Sequence, residues 1–152
     1  MVNGKNDRRS PVGISAVNAY VEPVVSLDLD IVVKTDAIKD VCGVARKREF
    51  KVEEFEHSVN IAGHGSDLRV QLQTDARYQA FVSGAMDADV LGYRLRVARV
   101  EDVLQGKVWA CMDKSRRRSK RQKDLADISR IVEKYPKLEA GLPQEVKDEL
   151  DR

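Results

Sequence analysis

Alternation between apolar and polar positions organises most of this chain. In the run VVSLDLDIVV, Leu27, Leu29, Ile31 and Val33 occupy one set of alternate positions, with Asp28 and Asp30 in the other. That spacing predicts a strand with an apolar face toward a core and two carboxylates side by side on its other face. The segment Gly13 to Pro23 precedes it, a small-residue turn running into a short helical stretch. Residues 36–48 then set Ile38, Val41, Cys42 and Ala45 on one helical face, with Thr35 or Asp36 as cap. Short strands are expected at Phe50–Glu54 and Ser58–Ala62, and a loop containing His64 follows. Leu68, Val70 and Leu72 alternate with Arg69, Gln71 and Gln73, so another strand with one apolar and one polar face is expected there. A short helix near Ala76–Val82 and a last strand at Tyr93–Val97 complete the mixed region.

The final third is helical by its periodicity. Val100, Val103, Leu104, Val108 and Cys111 form one stripe, and Leu125, Ile128, Val132 and Tyr135 a second. Pro143 suits the first turn of a closing helix carrying Val146 and Leu150. A mixed sheet followed by helices reads as an α+β or α/β domain, taken here as α+β and as one domain over residues 1–152. Residues 1–12 are polar and are expected to be a disordered leading segment.

Two aspartates in one strand change the picture from fold to chemistry. Asp is disfavoured in strands, and like charges roughly 7 Å apart repel unless a cation sits between them. A divalent metal fits, since Mg²⁺ takes one or two carboxylates together with waters and substrate phosphates. A solvated strand edge is the alternative.

Charge adds one further feature. The net charge is only +2, yet Lys114 to Lys123, KSRRRSKRQK, holds seven basic residues and no acid. Such a run is either a solvated helix face or a phosphate-binding edge for RNA, DNA or a triphosphate. It contains no aromatic side chain to stack on bases. Cys42 and Cys111 lack metal-site spacing and read as small buried thiols. His57 and His64 read as loop or surface residues, with no Glu-x-x-His partner to make them ligands. No apolar run approaches the ~20 residues of a membrane span, and no signal-peptide core is present. A cytoplasmic setting without membrane contact is therefore expected.

A glycine and hydroxyl residue opening a helix, Gly13 and Ser15, then a strand bearing Asp28-x-Asp30, resembles the signature of the nucleotidyltransferase superfamily with its polymerase-beta-like fold. SDLRVQLQTDARYQAF (66–81), VARVEDVLQGKVWA (97–110) and SKRQKDLADISRIVEKYP (119–136) resemble bacterial nucleotidyltransferase-like proteins related to AbiEii-type toxins. The resemblance implies a mixed sheet of the nucleotidyltransferase type with flanking helices. It also implies Mg²⁺, or Mn²⁺, held by Asp28 and Asp30 as the catalytic pair, with Gly13 and Ser15 presenting backbone N–H groups to nucleotide phosphates. Lys107 and Lys123 match family lysines beside the nucleotide cleft, and Lys123, Asp124 and Asp127 match its Lys-Asp-x-x-Asp pattern. A helix-surface ion-pair lattice is the other reading of these residues. The strand that commonly supplies a third carboxylate has Gln71 and Gln73 on its polar face, and Asp75 comes only at its end.

The activity implied is transfer of a nucleotidyl group from a nucleoside triphosphate to a hydroxyl. The alternative is a catalytically degenerate relative in a toxin–antitoxin or mobile-element setting. Such a relative would bind nucleotide, RNA or a protein partner, with Arg116, Arg117 and Arg118 as the contact.

Overall fold

The computed structural model describes residues 12–14, 17–21, 28–90 and 92–152. Strands β1 (Val12–Ile14), β2 (Asp28–Val33), β3 (Lys51–Glu54), β4 (Ser58–Ala62), β5 (Arg69–Gln73), β6 (Met86–Val90) and β7 (Tyr93–Val97) form one mixed sheet. Their spatial order is 3-4-5-2-1-7-6. β2 pairs with β5 and β1 with β7 in parallel, and the remaining pairs are antiparallel. The helices are α1 (Ile38–Lys47), α2 (Gln79–Gly84), α3 (Val100–Met112), α4 (Arg118–Lys134) and α5 (Gln144–Leu150). This α+β architecture, with a mixed sheet, flanking helices and a helical C-terminal part, is the one its periodicities predict.

Alternation along β2 sends its side chains into two separate cores. Val33, with Ile31, packs under α1 against Cys42, Val59 and Leu72. Val32, fully buried, belongs to the larger core with Phe81, Val103, Val108, Ile128 and Ile131 from α2, α3 and α4. Asp28 and Asp30 share Val32's side of the strand, so one face of β2 changes from sealed core to polar surface within two residues. That change positions the site.

Several expectations need correcting. Leu29 is 41% exposed, because the cluster under α1 takes in Ile31 and Val33 but not Leu29. Leu27 lies outside the described residues. Neither Thr35 nor Asp36 caps a helix: a 3₁₀ turn at Thr35–Ala37 leads into α1 without a side-chain cap bond. The stretch expected to be helical after Gly13 is a strand at 12–14 and a 3₁₀ turn at Val17–Ala19. Of the polar leading segment only Val12 is described, and it opens β1. Cys111 is half-buried rather than buried, and both cysteines are free.

Three described turns use left-handed backbone, at Glu49, Gly65 and Gly92. Gly65, beside His64, has φ +71°, which glycine adopts without a Cβ penalty. Glu49 has φ 63° and ends α1 in a Schellman arrangement, Phe50 N–H bonding Ala45 C=O at 3.0 Å and Glu49 N–H bonding Arg46 C=O at 3.0 Å. Among the described residues no helix is long and apolar enough to cross a membrane.

Candidate functional site

The polar face of β2 continues onto β5 through the parallel register. Asp28 lies opposite Arg69, Asp30 opposite Gln71, and Val32 opposite Gln73. Facing this strip across a cleft of about 540 Å³ are the inner sides of α3 and α4, and Asp28, Asp30, Lys107 and Lys123 all line it. These aspartates and lysines, 77 to 95 positions apart in sequence, thus meet at one opening. Gly106 shapes the α3 wall, because a Cβ there would come within 3.1 Å of Tyr78 Cε1.

The two aspartates differ. Arg69 Nε donates to Asp28 Oδ1 at 2.8 Å, its Nη2 lies 2.8 Å from the same oxygen, and Lys120 Nζ stands 3.9 Å from Oδ2. No hydrogen bond or ion pair from the described residues reaches Asp30. Burial raises the Asp30 carboxyl above the ordinary carboxylate range; Lys107 and Arg116 work against that, and Asp28 and Asp124 add to it.

Lys107 is already committed. Its ammonium lies 3.2 Å from Asp124 Oδ1 and 2.9 Å from Asp127 Oδ2, joining α3 to α4. Arg116 Nε holds the other oxygen of Asp124 at 3.1 Å, and Arg130 Nη1 holds Asp127 at 3.1 Å. Asp124 is 3% exposed and Asp127 9%, so this five-member chain of alternating charge has a buried acidic centre, with part-exposed arginines at its two ends, rather than being a surface lattice. Burial alone would lower the Lys107 pKa, but Asp127 and Asp124 overcome it and raise the value. Lys123 is exposed on the same wall, and no ion pair reaches it from the described residues.

The basic run divides by helical phase. Arg116, Lys120 and Lys123 line the cleft, Arg118 and Arg121 face a separate hollow against α5, and Arg117 is exposed. The three arginines 116–118 therefore do not form one surface. Gly13 stands in β1 opposite Val32 instead of in a turn, and Ser15 lies outside the described residues. His57 is exposed at the cleft rim, and His64 is exposed in its loop.

Asp28 and Asp30 offer hard oxygen donors of the kind Mg²⁺ and Mn²⁺ take. Among the described residues no group of three or more His, Cys, Asp or Glu could hold a metal ion. A divalent ion here would draw on two carboxylates, and Gln71 and Gln73 beside them add only neutral amides. The sequence pattern places Arg69 only on a polar strand face and Lys120 only in the basic run, and assigns neither of them, nor Arg130, to the site. The signal for Arg69 is the β2–β5 register, which sets it beside Asp28.

No protein-family model matches the sequence, and neither does any curated protein. Solved structures do resemble the fold. The antibiotic-resistance factor ANT(2'')-Ia superposes with TM-score 0.58 at 14% identity, over 86% of this chain and 80% of that one. JHP933 from Helicobacter pylori gives 0.54 at 17% identity, over 85% of this chain and 61% of its own length. An antigenic nucleotidyltransferase-like protein from Paracoccidioides brasiliensis gives 0.51 at 14% identity, over 80% and 67%. At these identities the likeness is one of architecture, and the architecture of this chain is the nucleotidyltransferase fold.

Proposed function

We propose that the cleft binds a nucleoside triphosphate with Mg²⁺ or Mn²⁺ and transfers its nucleotidyl group to a hydroxyl acceptor. The observation that carries this reading is the pairing of Asp28 and Asp30 on one strand face, opposite Lys107 and Lys123 across an open cleft. In-line phosphoryl chemistry asks for positioning and charge neutralisation, not for a covalent nucleophile. Asp28 and Asp30 would hold the ion, which when bound neutralises phosphate charge and favours pyrophosphate as leaving group. Lys123 supplies a solvent-facing point charge for the triphosphate tail. Lys107 acts less directly, keeping α3 and α4 at a fixed spacing from the carboxylates through Asp124 and Asp127.

Kinship with AbiEii-type toxins is part of the same proposal and rests on Lys107, Lys123, Asp124 and Asp127. One observation favours a second reading, a non-catalytic nucleotide-binding relative: Gln71, not a carboxylate, stands beside Asp30. Incubation with each α-labelled triphosphate and Mn²⁺, read as pyrophosphate release and labelled product, separates the two. Release that disappears in Asp28→Asn/Asp30→Asn supports transfer. Binding without release from any of the four triphosphates, with RNA, protein and small polyols each offered as hydroxyl acceptor, supports the second reading.

A further inference from the structure

The geometry points to Arg69 as a stand-in for the metal at Asp28, one that exchanges its carboxylate for the triphosphate when the ion arrives. This inference rests on the proposed nucleotide site and assigns that site a coupling residue.

Three observations converge on it. Arg69 is the direct cross-strand neighbour of Asp28, so its side chain leaves the sheet on the same face and into the same cleft. Two of its nitrogens, Nε and Nη2, lie 2.8 Å from one oxygen of Asp28, so the guanidinium takes up part of the space beside the carboxylate that a divalent ion would use. The Arg69 side chain is 45% exposed and that of Asp28 22%, so the guanidinium can leave the carboxylate without unpacking the core. Asp30, alongside, has no such partner among the described residues, so the cation deficit falls on one aspartate and the guanidinium on the other.

The consequence is competition followed by cooperation. Metal alone must displace a guanidinium from Asp28 and is penalised. Metal arriving with a triphosphate releases Arg69 toward an anion that a planar two-nitrogen fork suits. Each ligand therefore favours the other, and the coupling is reciprocal.

Arg69→Gln tests this, with Mn²⁺ binding followed by the electron paramagnetic resonance signal of the free ion. An ion pair of this exposure is worth up to about 1 kcal/mol, so Mn²⁺ alone should bind the variant about 1.5-fold to 5-fold more tightly than the parent. Of ATP, GTP, CTP and UTP, the one that binds the parent best with Mn²⁺ should bind the variant more weakly under the same conditions. The double variant Asp28→Asn/Arg69→Gln should lose the Mn²⁺ gain. Arg69→Lys, which preserves charge and reach, covers a failure of Arg69→Gln to fold; its single ammonium grips Asp28 less well, so it too should gain Mn²⁺ affinity.

Mn²⁺ affinity unchanged or lowered in both single variants overturns the inference. So does a gain that survives loss of Asp28, or triphosphate affinity that stays at the parent level. If the parent binds a triphosphate with Mn²⁺ while the variants show no gain, only the role of Arg69 falls. A parent that binds none of the four with Mn²⁺ removes the nucleotide site and this inference together.

Discussion

Replacing Lys107 with methionine keeps the length of the stem and deletes one charge from the middle of the α3–α4 network. The Lys107 side chain is 18% exposed, and those of its partners Asp124 and Asp127 are 4% and 12% exposed. Breaking a buried pair by removing one partner costs about 3–5 kcal/mol. Arg116 and Arg130 still neutralise the two carboxylates from their outer sides, which puts the loss near the lower end, about 3 kcal/mol. For a chain of this length that is a fall in melting temperature of about 6–12 °C. Urea unfolding of the parent, Lys107→Met, Asp124→Asn and the double variant gives both the loss and the coupling, which should exceed about 1 kcal/mol. A loss for Lys107→Met below about 1 kcal/mol, with additive double-variant behaviour, would class the network with solvent-exposed pairs and refute the reasoning.

Asp28→Asn and Asp30→Asn should act in opposite directions in the metal-free protein. Losing the Arg69 contact costs Asp28→Asn about 0.5 kcal/mol, whereas Asp30→Asn removes a desolvated carboxylate and should stabilise by about 1 kcal/mol. Because the native Asp30 pKa is raised, that advantage is present at pH 7 and shrinks as pH falls through the raised value; equal shifts in both variants at pH 7 would contradict this. Asp75 caps the 3₁₀ turn before α2 by accepting from Arg77 N–H at 2.9 Å, and its side-chain and backbone bonds to Arg77 lower its pKa. Asp75→Ala should therefore cost about 1 kcal/mol at neutral pH. The cost is full above about pH 4 and is lost as pH falls through the lowered native value; a pH-independent cost would point to packing instead. Glu49→Gly should stabilise by about 1 kcal/mol in thermal unfolding, because glycine relieves a positive φ at the Schellman position, and a destabilised variant would refute that turn.

Local pattern carried the fold reading where an element buries one clear face. Val103, Leu104 and Val108 in α3 and Ile128 and Val132 in α4 are buried as their 3.6-residue spacing demands. β6 escaped because MDADV places Asp87 and Asp89 in an edge strand, where exposed acids are tolerated and the apolar set, led by a 57% exposed Met86, is weak. β1, at three residues, is too short for alternation to register. The pair Asp28 and Asp30 was legible because its expense to a strand is local. Arg69 beside Asp28 and Lys107 between Asp124 and Asp127 were not, since both depend on register and helix packing between distant segments. For the same reason Leu29 was assigned to a core that reaches only Ile31 and Val33.

The most direct test of the central claim is a thermal-shift matrix of ATP, GTP, CTP and UTP, each with and without Mg²⁺ or Mn²⁺. With two carboxylates in reach among the described residues, metal alone and triphosphate alone should each move the melting temperature little, because Mg²⁺ relies on substrate phosphates to complete its shell. Together, at about 100 times the dissociation constant, they should stabilise the protein by roughly 2.7 kcal/mol, or about 5–11 °C for a domain of this size. Asp28→Asn/Asp30→Asn should abolish that synergy. Absence of a shift from all four triphosphates with millimolar Mg²⁺ or Mn²⁺, or a shift that survives the double substitution, would contradict a metal–nucleotide site at Asp28 and Asp30.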